Sequence, residues 1–399
     1  MEKRLLIPKL SGEVDFHKFS SDSYFVHQTT YDHRIKITDT VYSLLLELDG
    51  KKNLEQIASD FCMEGYDIDI LYNILFEKLG KYGIVEGLNI DVKKKEKPSY
   101  LKLSVILLPE KVINKITPYL RFLFVPRNIK LTLLFSSLII IIGAISNINT
   151  IVIQDLEAIW IHFMIFGILS VTFHELGHVT AANFFGAKHG GIGGGFYLFS
   201  PVYFADVTDI WKLPSRQRIV VNLAGIYFEL IICSIYMIVG VIFQFQFLSV
   251  IAVFIVLNTL LNLNPFLRSD GYWILTDVLE IPNLYKKSAA ALREVFKGIG
   301  SGTLKMTKKK TYLLAVYGSV NYLLIAIFLY YVLIIDPISV FYFPVNLYNY
   351  IVDVYNGYQT ISISSLIQFV LPFFFYYMLF QYIKFGIKRY KQKHAAKSS

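Results

Sequence analysis

Apolar positions fall into three regimes along the chain. From 1 to 92 they are short and periodic. Apolar/polar alternation around residues 24–26 and 34–37 predicts short strands. Thr38 or Asp39 then caps a helix carrying Val41, Leu44, Leu45 and Leu48, and Asp49-Gly50 stops it. A second helix carries Leu54, Ile57, Ala58 and Phe61, and a third Ile70, Leu71, Ile74, Leu75 and Leu79. Tyr82-Gly83-Ile84-Val85 closes the region as a strand or turn. Strands followed by three short helices predict a small α+β, winged-helix-like domain over 1–92.

Residues 93–98 form a charged linker. Residues 99–128 mix apolar runs with Lys111, Lys115, Arg121 and Arg127, which predicts a helix lying at a membrane interface, with a soluble connector as the alternative. The whole stretch 93–129 is thus linker and interfacial segment. Beyond it the apolar runs become continuous. Six candidate spans follow, at 130–147, 157–185, 219–243, 248–267, 311–335 and 363–383, and most reach the roughly 20 residues needed to cross hydrocarbon. The expected fold is an α-helical polytopic membrane protein of about six spans over 130–383, with a basic tail over 384–399.

Composition sharpens this. Of the 399 residues 54% are hydrophobic and 17% charged, against about 25% charged in average soluble proteins. A net charge of +9 raises the question of nucleic acid, but the Lys and Arg residues crowd the ends of apolar segments, so lipid is the expected partner and nucleic acid is not. Segments 148–156, 244–247 and 336–362 contain no Lys or Arg, whereas 186–218, 268–310 and the tail are basic. By the positive-inside rule both termini are expected in the cytosol of a multi-pass cell-membrane protein. The start of the chain has no apolar signal-peptide core, which agrees. Cys62 and Cys233 lie in different regions, so neither a disulfide framework nor a cysteine metal site is expected.

The candidate chemistry sits in the second span. His174-Glu175-Leu176-Gly177-His178 is an H-E-x-x-H motif, whose two imidazoles share one helix face and can reach one metal ion, with Glu175 placed to accept a proton from a water there. The bland alternative is a set of satisfied polar groups in a helix bundle, but three ionisable residues in one turn of a span are costly without a metal. A catalytic zinc usually takes a third protein ligand. Asp270, after the fourth span, is the candidate, because span counting places it on the same side as His178; the alternative is an ordinary loop carboxylate. Pro265 would break the helix and let the chain turn toward the metal. His189, Asp206 and Asp209 are further ligand candidates that read better as loop caps or cavity-wall groups, and His162 reads as a hydrogen-bonded core histidine. The glycine-rich stretch from Gly190 to Phe199 suits a hairpin lining a cavity, whose strand edge could pair with an unwound substrate.

H-E-x-x-H on one span with N-x-x-P-x-x-x-x-D-G (Asn262 to Gly271) at the end of a later one resembles the site-2 protease family of intramembrane metalloproteases. That resemblance implies Zn2+ held by His174, His178 and Asp270, with Glu175 as the base. It also implies Asn262 near the active site, holding substrate or stabilising the oxyanion; a helix–helix hydrogen bond is its other reading. Thr38-Asp39 before a helix, the Asp49-Gly50 stop, Leu54-Glu55-Gln56-Ile57-Ala58 and the later leucine helix to Val85 make the front region similar to a PqqD-like RiPP recognition element. Such domains bind leader peptides by adding a strand beside their third strand, here near 34–37, and packing against the third helix, here 69–82. The other reading is a generic winged helix. The combined architecture implies cleavage of a ribosomally made, modified peptide precursor, with the leader peptide and a peptide exporter as partners. Two alternatives stay open: release of a membrane-bound transcriptional regulator, and a non-proteolytic transporter or immunity protein with a structural metal.

Overall fold

The computed structural model describes residues 3–20, 23–60, 67–86, 91–92, 94, 101–148, 156–197, 200–300, 309–362, 365–366 and 368–395. Most of the linker at 93–98, Leu198 and Phe199 of the glycine-rich stretch, and Lys305 and Lys308 lie outside the described residues. Contacts divide the chain into two compact units, Met1–Val152 with Phe166–Ile281, and Ile153–Ile165 with Pro282–Ser399.

The first unit opens with β1 (Lys9–Leu10), β2 (Val14–Ser20), β3 (Ser23–Gln28) and β4 (His33–Thr38). The last three form an antiparallel sheet in the order β2-β3-β4. Its register sets Tyr24 opposite Ile37 and Val26 opposite Ile35, so the alternating apolar positions share one face. The helices α1 (Asp39–Leu46), α2 (Leu54–Asp60) and α3 (Ile68–Tyr72) follow, and π and 3-10 turns carry α3 on to Tyr82. Thr38, rather than Asp39, is the cap: its hydroxyl accepts the Val41 N–H at 3.4 Å. Val26, Ile37, Leu44, Leu45, Leu54, Ile57, Leu71 and Leu75 make the core. β5 (Val85–Glu86) then closes on β1.

The opposite face of this sheet is covered as well. Phe19 and Phe25, at 4% and 7% exposure, stack on Trp211 with ring centroids 6.2 and 6.5 Å away. The Arg218 guanidinium lies 4.2 Å over the Phe19 ring. The front domain is therefore seated on the rest of its unit by an aromatic–cation contact.

Residues 101–108, expected as part of an interfacial helix, are a strand. β6 (Leu101–Leu108) pairs antiparallel with β7 (Ile192–Tyr197), which pairs with β8 (Ser200–Ala205). The partner strand lies far along the chain, where no local periodicity reveals it, and non-local pairing overrides local preference. Bare glycine in β7 permits the contact, since a Cβ on Gly193 would stand 2.5 Å from the Val105 carbonyl oxygen. The amphipathic helix begins only at α4 (Glu110–Leu120), which buries Ile113 and Thr117.

Long helices follow: α5 (Pro126–Ser146), α6 (Leu156–Phe184), α7 (Ser215–Ile242) and α8 (Gln246–Asn262), then the shorter α9 (Asp270–Leu279). The second unit adds α10 (Leu284–Gly300), α11 (Lys309–Tyr330), α12 (Pro337–Phe341), α13 (Phe343–Tyr355) and α14 (Val370–Ala395); there α10 and α11 pack along each other, with Tyr285 and Tyr317 ring centroids 6.2 Å apart. Among the described residues four helices are long and apolar enough to cross a membrane: Pro126–Ser146, Trp160–Phe184, Ser215–Ile242 and Lys310–Ile335, with mean hydropathy 2.2, 1.2, 2.2 and 2.1. The predicted span at 248–267 is realised as α8, whose 17 residues cover about 25 Å before the chain breaks toward Pro265. Residues 363, 364 and 367 of the predicted span at 363–383 lie outside the described residues, and α14 takes up the span from Val370 on.

α7 is the central helix: 61% of its apolar window is buried, against 11–22% for the other three. Arg218 near its start is 1% exposed and donates from Nε to Asp277 Oδ1 at 2.7 Å and from Nη1 to the Leu213 carbonyl at 2.8 Å. Asn222 Nδ2 donates to the other Asp277 oxygen at 2.9 Å, so α9 is fastened to α7. Burial pushes the Asp277 carboxyl above its ordinary value, with Arg218 and Asn222 pulling against it. Asp277→Ala is expected to cost about 3–5 kcal/mol by leaving a buried guanidinium without its counter-charge. The thermal unfolding midpoint in detergent would read this, and a Asp277→Leu, Arg218→Leu double variant should recover part of the loss.

Candidate metal centre

Helical spacing on α6 places His174 and His178 one turn apart, both 7% exposed, with their Nε2 atoms 3.0 Å from each other. Asp270, the first residue of α9, meets them: Oδ2 is 3.1 Å from His174 Nε2 and Oδ1 is 3.5 Å from His178 Nε2. The three ligand atoms all lie within 4.8 Å of one another. The three sequence-predicted metal residues are thus brought together from chain segments on either side of α7 and α8.

The outer ring nitrogens explain what the inner ones can do. His178 Nδ1 is 2.7 Å from the Val221 carbonyl oxygen, which only accepts, so the proton sits on Nδ1 and Nε2 presents a lone pair. His174 Nδ1 is 3.2 Å from Glu229 Oε2, whose charge favours the proton on Nδ1 and so a second lone pair on Nε2. Two lone pairs and a carboxylate oxygen then converge, an arrangement that repels itself unless a cation is shared. Two imidazoles and one carboxylate are the donor set of a catalytic zinc with an open fourth position.

Space for an ion exists because position 225 has no side chain. A Cβ on Gly225 would stand 2.5 Å from both His174 Nε2 and His178 Nε2, filling the cradle between the rings. Glu229, one turn further along α7, is 2% exposed and also accepts a hydrogen bond from Thr259 Oγ1 at 2.8 Å. Neither Gly225 nor Glu229 is picked out by motif reading. For Glu229 a signal was present, an ionisable residue inside an apolar run; for Gly225 there was only a small-residue position of the kind that lets helices approach.

Delivery of Asp270 depends on the turn after α8. Asn264 Oδ1 accepts the Phe266 N–H at 2.9 Å, and Ser269 Oγ donates to the Asn264 carbonyl at 3.2 Å. Gly271 lets this turn fold back, since a Cβ there would collide with the Leu263 carbonyl. The place of Asp270 in the first turn of α9 also suits a negative charge.

Glu175 is partly exposed beside His174, with its carboxylate facing the backbone N–H of Ala205 at the end of β8. Asn262 is the last residue of α8 and half-buried; the hydrogen bonds described for the cluster do not include it. The glycine-rich segment is the hairpin partner β7, as its composition predicts, with β8 at the sheet edge. The further ligand candidates serve the loop instead. Asp209 Oδ2 accepts the Lys188 N–H at 2.7 Å and Lys212 Nζ at 2.6 Å. Burial raises the Asp209 carboxyl, and these two donors more than reverse it. Asp206 Oδ1 accepts the Thr208 hydroxyl at 2.7 Å, and His189 Nδ1 sits 3.0 Å from the Gly190 carbonyl oxygen. Among the described residues neither these nor His162 joins the three-residue group.

No protein-family model matches the chain, and no solved structure matches it. Among curated proteins it is similar to one of Bacillus subtilis (strain 168) that bears the name "Putative peptide zinc metalloprotease protein YydH". The two are 29% identical over 213 residues, which is 50% of this chain and 82% of that protein.

Proposed function

We propose that the chain is a membrane-embedded zinc metalloprotease that cleaves a ribosomally made, modified peptide precursor, removing its leader or trimming it before export. The convergence of His174, His178 and Asp270 on one point, with Glu175 alongside, carries the reading. The name of the Bacillus subtilis relative, which pairs zinc with a peptide substrate, supports it. For the substrate class, the support is the front domain's resemblance to leader-binding modules and its β4 edge, which no strand among the described residues covers.

Zinc bound by the three ligands would polarise the scissile carbonyl and acidify a water. Glu175, fixed beside His174, takes the attacking water's proton and passes it to the leaving amine. Val221 and Glu229 hold the two rings in the tautomer that turns Nε2 inward. The outer edge of β8, next to the Ala205–Glu175 contact, is where an unwound substrate would add as a strand, with its backbone amides satisfied within the membrane. Asn262 would hold the substrate from the end of α8. By the positive-inside rule, the basic loops support a cytosolic side for this site and for both termini.

Mass spectrometry of small peptides from cells expressing wild type or Asp270→Ala tests the reading. A cleaved leader or mature peptide is expected with wild type and absent with the variant, together with loss of about one zinc ion per chain from the purified protein. Fragments of a membrane-bound regulator in place of peptide products would overturn the substrate class, and identical profiles would overturn the protease.

A further inference from the structure

We infer that Glu229 is a positioning residue for the metal centre, orienting His174 and setting a negative charge behind that ring to strengthen its hold on a divalent ion inside the helix bundle. This rests on reading the triad as a zinc site. Glu229 lies in the middle of the central span, 2% exposed, with buried Phe228, Ile232 and Cys233 close by in sequence. An unpaired carboxylate in such a place is expensive. The partners described for it are an imidazole nitrogen at 3.2 Å and a hydroxyl at 2.8 Å, neither of which carries a fixed positive charge. A dication one imidazole away sets positive charge against it, with the ring transmitting the interaction.

The two histidines are consequently unlike. His178 hands its outer N–H to a neutral carbonyl, whereas His174 Nδ1 faces a carboxylate oxygen 3.2 Å away, whose negative charge favours a proton on that nitrogen and makes His174 the stronger donor to the ion. The Thr259 contact adds a second role. Thr259 is 3% exposed on α8, three residues before that helix ends and the turn to Asp270 begins. Its bond to Glu229 therefore ties the orientation of a ligand on α6 to the helix that delivers the ligand on α9.

Full-length protein in detergent tests this through zinc affinity, measured by chelator competition, and the visible absorption of the Co2+-substituted form. Glu229→Gln, which keeps the shape and removes the charge, is expected to weaken zinc binding about 10–100-fold and alter the Co2+ spectrum. Glu229→Asp, with the charge kept on a shorter stem, should fall between wild type and Gln. The unfolding midpoint of the metal-free protein should not fall in Glu229→Gln, since a buried charge has been removed. Thr259→Val leaves the carboxylate untouched and covers the case in which position 229 variants do not fold; it should weaken zinc several-fold. Affinity within twofold of wild type in both Glu229→Gln and Thr259→Val would overturn the inference. A wild-type protein that binds no zinc would instead remove the site reading beneath it.

Discussion

Glu175→Gln should leave zinc in place and lower peptide hydrolysis by about 10²–10⁴-fold, the range that a positioned general base contributes. The expectation follows from where the residue stands. Glu175 is adjacent in sequence to His174 but outside the three-ligand group, so its loss removes no donor from the ion. Its carboxylate faces the Ala205 N–H, and the carbonyl of glutamine can face the same donor, so the β8 end should keep its place. What glutamine cannot do is take a proton from the attacking water. Zinc content by elemental analysis and turnover of the wild-type peptide products should therefore separate cleanly. Retained turnover would show that Glu175 is not the base, and loss of zinc would show that it holds the ion.

Gly225→Ala should have the opposite signature, an intact helical protein that no longer binds zinc. Zinc–nitrogen bonds are about 2.0–2.1 Å long. A methyl group at 2.5 Å from both Nε2 atoms claims the same volume as the ion. One added carbon also forces the two rings apart, at an overpacking cost of about 1–3 kcal/mol. Elemental analysis should find zinc reduced to background, while far-ultraviolet circular dichroism retains its helical signal. Stoichiometric zinc in this variant would mean that the ion sits elsewhere than between the rings.

The parts of the site that chemistry demands at fixed spacing were legible in the chain. His174 and His178 announce themselves because a helix aligns positions four apart, and Asp270 because the chain must return to the same side after the fourth span. Gly225 and Glu229 were not, since one contributes by having no side chain and the other acts through His174. The front domain was legible because its alternating strands and short periodic helices are local patterns. β6 was not, because its hydrogen-bond partner β7 lies beyond two long helices. The predicted span at 248–267 came out shorter because the chain after Asn262, with Asn264 and Pro265, is spent on the turn that aims Asp270. Four long apolar helices stand firmly, and the candidate site belongs to the unit that holds the central one.

The order in which the ligands occur along the chain has a consequence for the cell that makes it. A ribosome releases the H-E-x-x-H turn well before α7 and α8 have entered the bilayer, and Asp270 emerges last. A half-made chain thus carries two histidines with nothing to complete their grip. The three-ligand group can be complete only once the chain through the start of α9 has been made and folded.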